Sequence, residues 1–144
     1  MMQVEKITLN SARLKQILAI WLAGNLQAHA FIPATYWEDA QAKVATQLPQ
    51  AEIWTISSGS NLVGFAGVVD RYLAGFFIVP EQQHRGVGRQ LLTALKEQYP
   101  TLMLAVYVKN QRAVRFYQEA GFVRVAQQID AETNEIEQMM RWSR

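Results

Sequence analysis

The sequence predicts an α/β (α+β) fold: a single mixed sheet, mostly antiparallel with a central parallel β-α-β step, and helices on both faces. Three observations predict it. Apolar residues recur at helical spacing in two separated stretches, at Leu14, Ile17, Leu18, Trp21 and Leu22 and again at Val87, Leu91, Leu92 and Leu95. Between them lie three β-rich runs parted by turn residues, which reads as an antiparallel meander. From the third of these runs the order is strand, helix, strand, which calls for two parallel strands joined by a right-handed crossover.

Taken in order, Gln3 to Thr8 alternates and reads as a first strand. Asn10 or Ser11 caps the first helix, since a short polar side chain satisfies the free N–H groups of its first turn. Gly24-Asn25 is expected to loosen or end that helix, with Ala28 to Pro33 as a loop. A second helix over Ala34 to Gln47 stops before Pro49. Glu52 to Ser57 and Leu62 to Val69 form a hairpin around Ser58-Gly59-Ser60-Asn61. Asp70-Arg71 turns into Tyr72 to Val79, which is apolar throughout, as a strand buried on both faces is. Gly86 to Tyr99 is helical and Pro100 stops it. Leu102 to Val108 is a strand, and Asn110 to Ala120 a helix with Gly121 as its C-terminal cap. Phe122 to Ile129 and Ile136 to Trp142 close the sheet as two strands around a polar turn. With no repeat, low-complexity tract or linker, residues 1–144 read as one domain.

Half of the 144 residues are apolar and 18% are charged, a globular balance. A net charge of +2 argues against nucleic acid or an anionic membrane as partner, because those need a concentrated basic face. The absence of cysteine excludes disulfides, zinc–thiolate sites and a cysteine nucleophile. Two distant histidines and scattered acids give no metal-ligand cluster. With no export-signal pattern at the start and no apolar run of membrane-spanning length, the cytoplasm is the expected location.

The most informative segment runs from Val79 through Gln83-His84-Arg85-Gly86-Val87-Gly88-Arg89 to Leu92. A buried strand enters it and a helix leaves it. The first N–H groups of that helix lack carbonyl partners, and its dipole adds partial positive charge there. Gly86 and Gly88 remove side chains that would keep an anion away, and Arg85 and Arg89 add full charges. These are the parts of a pyrophosphate site. A Walker loop is excluded because no Lys-Ser or Lys-Thr follows the glycines, and a dinucleotide fingerprint because position 91 is Leu.

Gln83-His84-Arg85-Gly86-Val87-Gly88 resembles the [Q/R]-x-x-G-x-[G/A] signature of the GNAT acetyltransferase superfamily. Asn110-Gln111-Arg112-Ala113-Val114-Arg115-Phe116-Tyr117-Gln118-Glu119-Ala120-Gly121-Phe122 is similar to its later motif, N-x-x-A-x-x-[F/L]-Y-x-x-x-G-F. The likeness covers essentially the whole chain and is most specific from Phe76 to Phe122. Phe31-Ile32, Tyr36-Trp37 and Leu102-Met103-Leu104 most resemble the small bacterial YiaC-type members.

The resemblance implies transfer of an acetyl group from acetyl-coenzyme A to a primary amine, on a protein lysine or N-terminus or on a small molecule. It implies that Phe77, Ile78 and Val79 hold the pantetheine arm through their backbone. Gln83, His84, Arg85, Gly86, Val87, Gly88 and Arg89 then hold the phosphates, with Asn110 close to the cofactor. Tyr117 is implied as the general acid that protonates the departing sulfur, for which a phenol has a suitable ordinary pKa. Where many relatives carry a glutamate base, five residues before the Asn, this chain has Ala105. His29, Tyr36 and Tyr107 are then the candidates for a base, and Phe31, Tyr36, Trp37 and Phe76 for an acceptor pocket. The alternative function is an acyl-coenzyme A sensor or scaffold without turnover. The acceptor's identity and the oligomeric state have no signal in the sequence.

Overall fold

The computed structural model describes residues 2–144. Its elements are β1 (Met2–Ile7), α1 (Ser11–Ala28), α2 (Ala34–Gln47), β2 (Glu52–Ser58), β3 (Asn61–Val69), β4 (Tyr72–Ile78), α3 (Val87–Gln98), β5 (Thr101–Tyr107), α4 (Gln111–Glu119), β6 (Val123–Asp130) and β7 (Glu135–Ser143). The seven strands form one sheet in the order β1-β2-β3-β4-β5-β7-β6. Every neighbouring pair is antiparallel except β4 and β5, which α3 joins as a parallel crossover.

Each face of the sheet carries its own core. On one, Leu91 and Leu95 of α3 and Tyr117 of α4 pack against Ile56, Leu102, Leu104 and Met140. On the other, Ile17 and Trp21 of α1 and Trp37 of α2 pack against Ile53 and Phe65. Each fully buried side chain of this size contributes about 1.5–3 kcal/mol.

Two expectations need correction. Gly24-Asn25 does not end α1, which continues to Ala28. Both residues are buried, and the Asn25 side-chain amide donates to the Trp21 carbonyl at 3.0 Å, so the polar group is satisfied inside the helix. Gly24 is there for space: an added Cβ would collide with the Phe77 ring. Likewise, β4 is not buried on both faces. Only Leu73 is buried, because β4 parts from β5 and opens a cleft along its length.

Candidate active site

The cleft has a volume of about 1070 Å³ and follows from the pairing of β4. This strand meets β5 at a single register pair, Tyr72 with Met103, beside which the Met103 N–H donates to the Arg71 carbonyl at 3.0 Å. Beyond it the two strands diverge. A bulge adds to the effect: Gly67 and Val68 of β3 stand opposite Gly75 and Leu73, so Ala74 is the extra residue. The Val79 N–H donates to the Val63 carbonyl at 2.9 Å, next to the register pair of Gly64 with Ile78. Antiparallel pairs alternate between bonded and non-bonded, so Phe77 and Val79 turn their amides toward β3. Phe76 and Ile78 turn theirs toward the cleft, where the Ile78 carbonyl accepts from the Gln83 side chain at 3.0 Å.

At the cleft's other end, Gly86 is the N-terminal cap of α3, with φ 78° and open space where a Cβ would stand. His84 has φ 65°. The first helical bond is donated by Gln90 to the Gly86 carbonyl, and among the described residues the N–H groups from His84 to Arg89 find no protein acceptor. Six successive free donors at a helix start are an arrangement suited to binding an anion. Gly88 lies beside α4, where an added Cβ would meet the Phe116 ring at 3.5 Å, an ordinary packing distance. Arg112 of α4 reaches the same loop, with a guanidinium nitrogen 3.2 Å from His84 Nε2.

Tyr117 lines the cleft between these two regions and is held by aromatic edges. Its ring lies 5.2 Å from Phe116, 5.5 Å from Phe122 and 6.2 Å from Phe76. Burial raises its phenol above the ordinary value of 10.0, so the proton stays on oxygen and the group is a donor at neutral pH.

His29 caps the end of α1 and lines the cleft. Its Nδ1 faces Asn25 Oδ1 at 2.9 Å and its Nε2 faces Asn110 Nδ2 at 3.1 Å. Asn25 Oδ1 only accepts and Asn110 Nδ2 only donates, which fixes the neutral tautomer with the proton on Nδ1. Desolvation lowers its pKa from 6.5 to about 4. The ring stacks on Trp37 at 5.4 Å and meets Tyr107 edge-on at 5.1 Å. Through Asn110, whose Oδ1 caps α4 by accepting from the Ala113 N–H at 3.3 Å, His29 ties α1 to α4. Tyr36 and Tyr107 are raised above their ordinary range first by burial, then by donating to Glu132 at 2.6 Å and Asp130 at 2.7 Å. None of the three candidate bases has a lone pair poised to take a proton.

The cleft thus collects Phe77, Ile78, Gln83, His84, Gly86, Gly88, Arg89, Asn110 and Tyr117. Val79 and Arg85 do not line it, and the Val87 side chain is buried in the core, so only its amide faces the loop. Of the expected acceptor-pocket aromatics, Trp37 and Phe76 line the cleft, while Phe31 and Tyr36 stand behind it. Sequence reasoning missed Arg112, which lies inside a quoted motif and needed only its place on the first turn of α4. It also missed Ala74 and Glu137, which enter through a bulge and through strand register and leave no mark in residue spacing.

The Acetyltransferase (GNAT) family model matches residues 14–122. The chain is 38% identical over 113 residues to the peptidyl-lysine N-acetyltransferase YiaC of Escherichia coli (strain K12), covering 77% of each chain. Its fold matches the solution structure of apo YjaB from Escherichia coli, with a TM-score of 0.86, 23% identity, and coverage of 99% of this chain and 97% of that one. It also matches the PaiA N-acetyltransferase of Thermoplasma acidophilum in complex with coenzyme A, with a TM-score of 0.76, 16% identity, and coverage of 99% of both chains. The chain belongs to the GNAT acetyltransferase family. Among the described residues no helix is long and apolar enough to cross a membrane.

Proposed function

We propose that this chain transfers the acetyl group of acetyl-coenzyme A to a primary amine, with a lysine side chain of a protein as the acceptor. The observation that carries the reading is the run of free amides from His84 to Arg89, opening into the same cleft as the unpaired edge of β4 and Tyr117. The acceptor class draws support from the relative named as a peptidyl-lysine acetyltransferase, and the cofactor from the related fold described with coenzyme A.

The amides of residues 84–89, with Arg89 and Arg112, bind the diphosphate. The cleft-facing amides of Phe76 and Ile78 pair with the pantetheine arm as an added strand would. The same edge donates to the thioester carbonyl, stabilising the oxyanion that forms as the amine attacks. A C–N bond forms, the C–S bond breaks, and Tyr117 hands its proton to the departing sulfur. Asn110 holds the start of α4, and with it Tyr117, in register.

The test is free-thiol release with a lysine peptide, alongside calorimetric binding of coenzyme A. Tyr117→Phe is expected to keep coenzyme A affinity and lose about 100-fold in kcat. Coenzyme A binding with no turnover in the wild type, across lysine peptides, N-terminal peptides and small amines, would replace this reading by the acyl-coenzyme A sensor.

A further inference from the structure

Ala105 lines the cleft, and its methyl group leaves open the space that a longer side chain would fill on this face of β5. The neighbouring strand faces that space. In the β5–β7 ladder Tyr107 stands opposite Glu137 and Ala105 opposite Met139, so all four side chains share one face of the sheet. Glu137 is therefore the diagonal neighbour of Ala105, about 7 Å away between backbone positions. A glutamate side chain spans most of that gap, and Glu137 lines the cleft.

We propose that Glu137 is the general base of acetyl transfer, taking the acceptor ammonium's proton from β7 where a glutamate at position 105 would have taken it from β5. The proposal rests on the acetyl-transfer reading above. Gln128 of β6 donates to Glu137 Oε1 at 2.8 Å, which orients the carboxylate and leaves Oε2 unclaimed. Among the described residues Glu137 has no ion pair, and Lys109, which also lines the cleft, is paired with Glu135 at 3.2 Å. The other groups facing it are Tyr72 from β4, Tyr107 from β5, Asp130 from β6 and Tyr36 from α2. The tyrosines hold their protons through burial and neighbouring carboxylates, and none supplies a positive charge. An arriving ammonium thus meets a carboxylate whose charge is not neutralised, in a pocket walled by Trp21, Trp37 and Tyr72.

The protons balance. The ammonium gives one to Glu137, which passes it to bulk solvent, and the freed lone pair attacks the thioester carbonyl. The nitrogen loses its second proton as the tetrahedral adduct collapses. Through solvent, that proton replaces the one Tyr117 gives to sulfur.

The experiment compares wild type, Glu137→Gln and the double variant Ala105→Glu/Glu137→Gln, with a lysine peptide across pH 6 to 10 and with coenzyme A in calorimetry. Glu137→Gln is expected to bind coenzyme A as the wild type does. Its kcat falls about 100-fold at neutral pH, and the deficit narrows as pH rises and the peptide amine arrives already deprotonated. The double variant is expected to regain at least about tenfold, since a carboxylate returns to the same space. A Glu137→Gln enzyme within threefold of wild type, or a loss that is equal at every pH and unrescued by Ala105→Glu, overturns the assignment. A wild type that binds coenzyme A and acetylates no amine overturns the acetyl-transfer reading along with it.

Discussion

Gly86 joins two requirements in one residue: a left-handed backbone, and an empty place where a side chain would block the amides of α3. Aspartate tolerates the backbone better than most residues but sets a carboxylate where the proposed diphosphate would lie. Gly86→Asp is expected to weaken coenzyme A binding by at least about tenfold and to cost about 1 kcal/mol of stability through its left-handed backbone, read by calorimetry and a melting curve. Equal affinity would move the diphosphate elsewhere. His29 is the second residue whose behaviour follows from its surroundings. Its folded pKa of about 4 lies below the ordinary 6.5, so between those values the unfolded chain binds more protons. The stability tied to its neutral form is complete above about pH 6.5 and is lost as pH falls toward 4. Allowing for partial solvent screening, about 2 kcal/mol is at stake. His29→Gln is expected to flatten the urea midpoint between pH 4.5 and 7 relative to wild type. That the Gln83 to Arg89 loop and Tyr117 are candidates was legible in the sequence because each sits in a contiguous motif, and both border one cleft. Glu137 was not, since strand pairing alone sets it beside Ala105.

Among the elements, α1 and β4 approach closely enough that Gly24 touches the Phe77 ring. Gly24→Ala gains about 1 kcal/mol of helix propensity and loses about 1–3 kcal/mol to overpacking, and overpacking wins. A lower urea midpoint is expected, together with weaker coenzyme A binding, because the Phe77 ring that must give way also lines the cleft. A more stable variant would show that the helix slides freely over the strand. This contact also explains why the end of α1 was misread: Gly24 and Asn25 carry the composition of a helix stop, yet one gives room to a neighbour and the other satisfies its amide within the helix. The apolar run of β4 was misread for a related reason. Its composition matches a doubly buried strand, but it borders an opening, and hydropathy alone does not distinguish the wall of a cleft from the inside of a core.

Across the whole molecule, two clusters of charge stand apart, the acidic one partly offset by Lys43 and Lys109. Arg85, Arg89 and Arg112 gather at the anion loop, while Asp130, Glu132, Glu135 and Glu137 gather where β6 turns into β7. A net charge of +2 hides this division, which is why composition offered no clue to it. Raising salt from about 0.05 to 0.5 M is expected to weaken coenzyme A binding several-fold, and Arg89→Ala to flatten that dependence. A slope unchanged by the substitution would take Arg89 away from the diphosphate. The amphipathic helices and the parallel step were legible because periodicity and connectivity are properties of the chain alone, whereas the placing of helices on both faces came with the family resemblance. The point where β4 leaves β5 was not, being a matter of one inserted residue. Ala74 acts as a phase shifter: before it Leu73 points into one core, and after it Phe76 rejoins that side while Phe77 serves the other. Position 74 should accordingly accept many replacements, and its deletion should leave every later side chain on its present face, because Gly75 would follow Leu73 in an unbroken ladder; what would be lost is the local bend that the extra residue gives the strand beside the cleft.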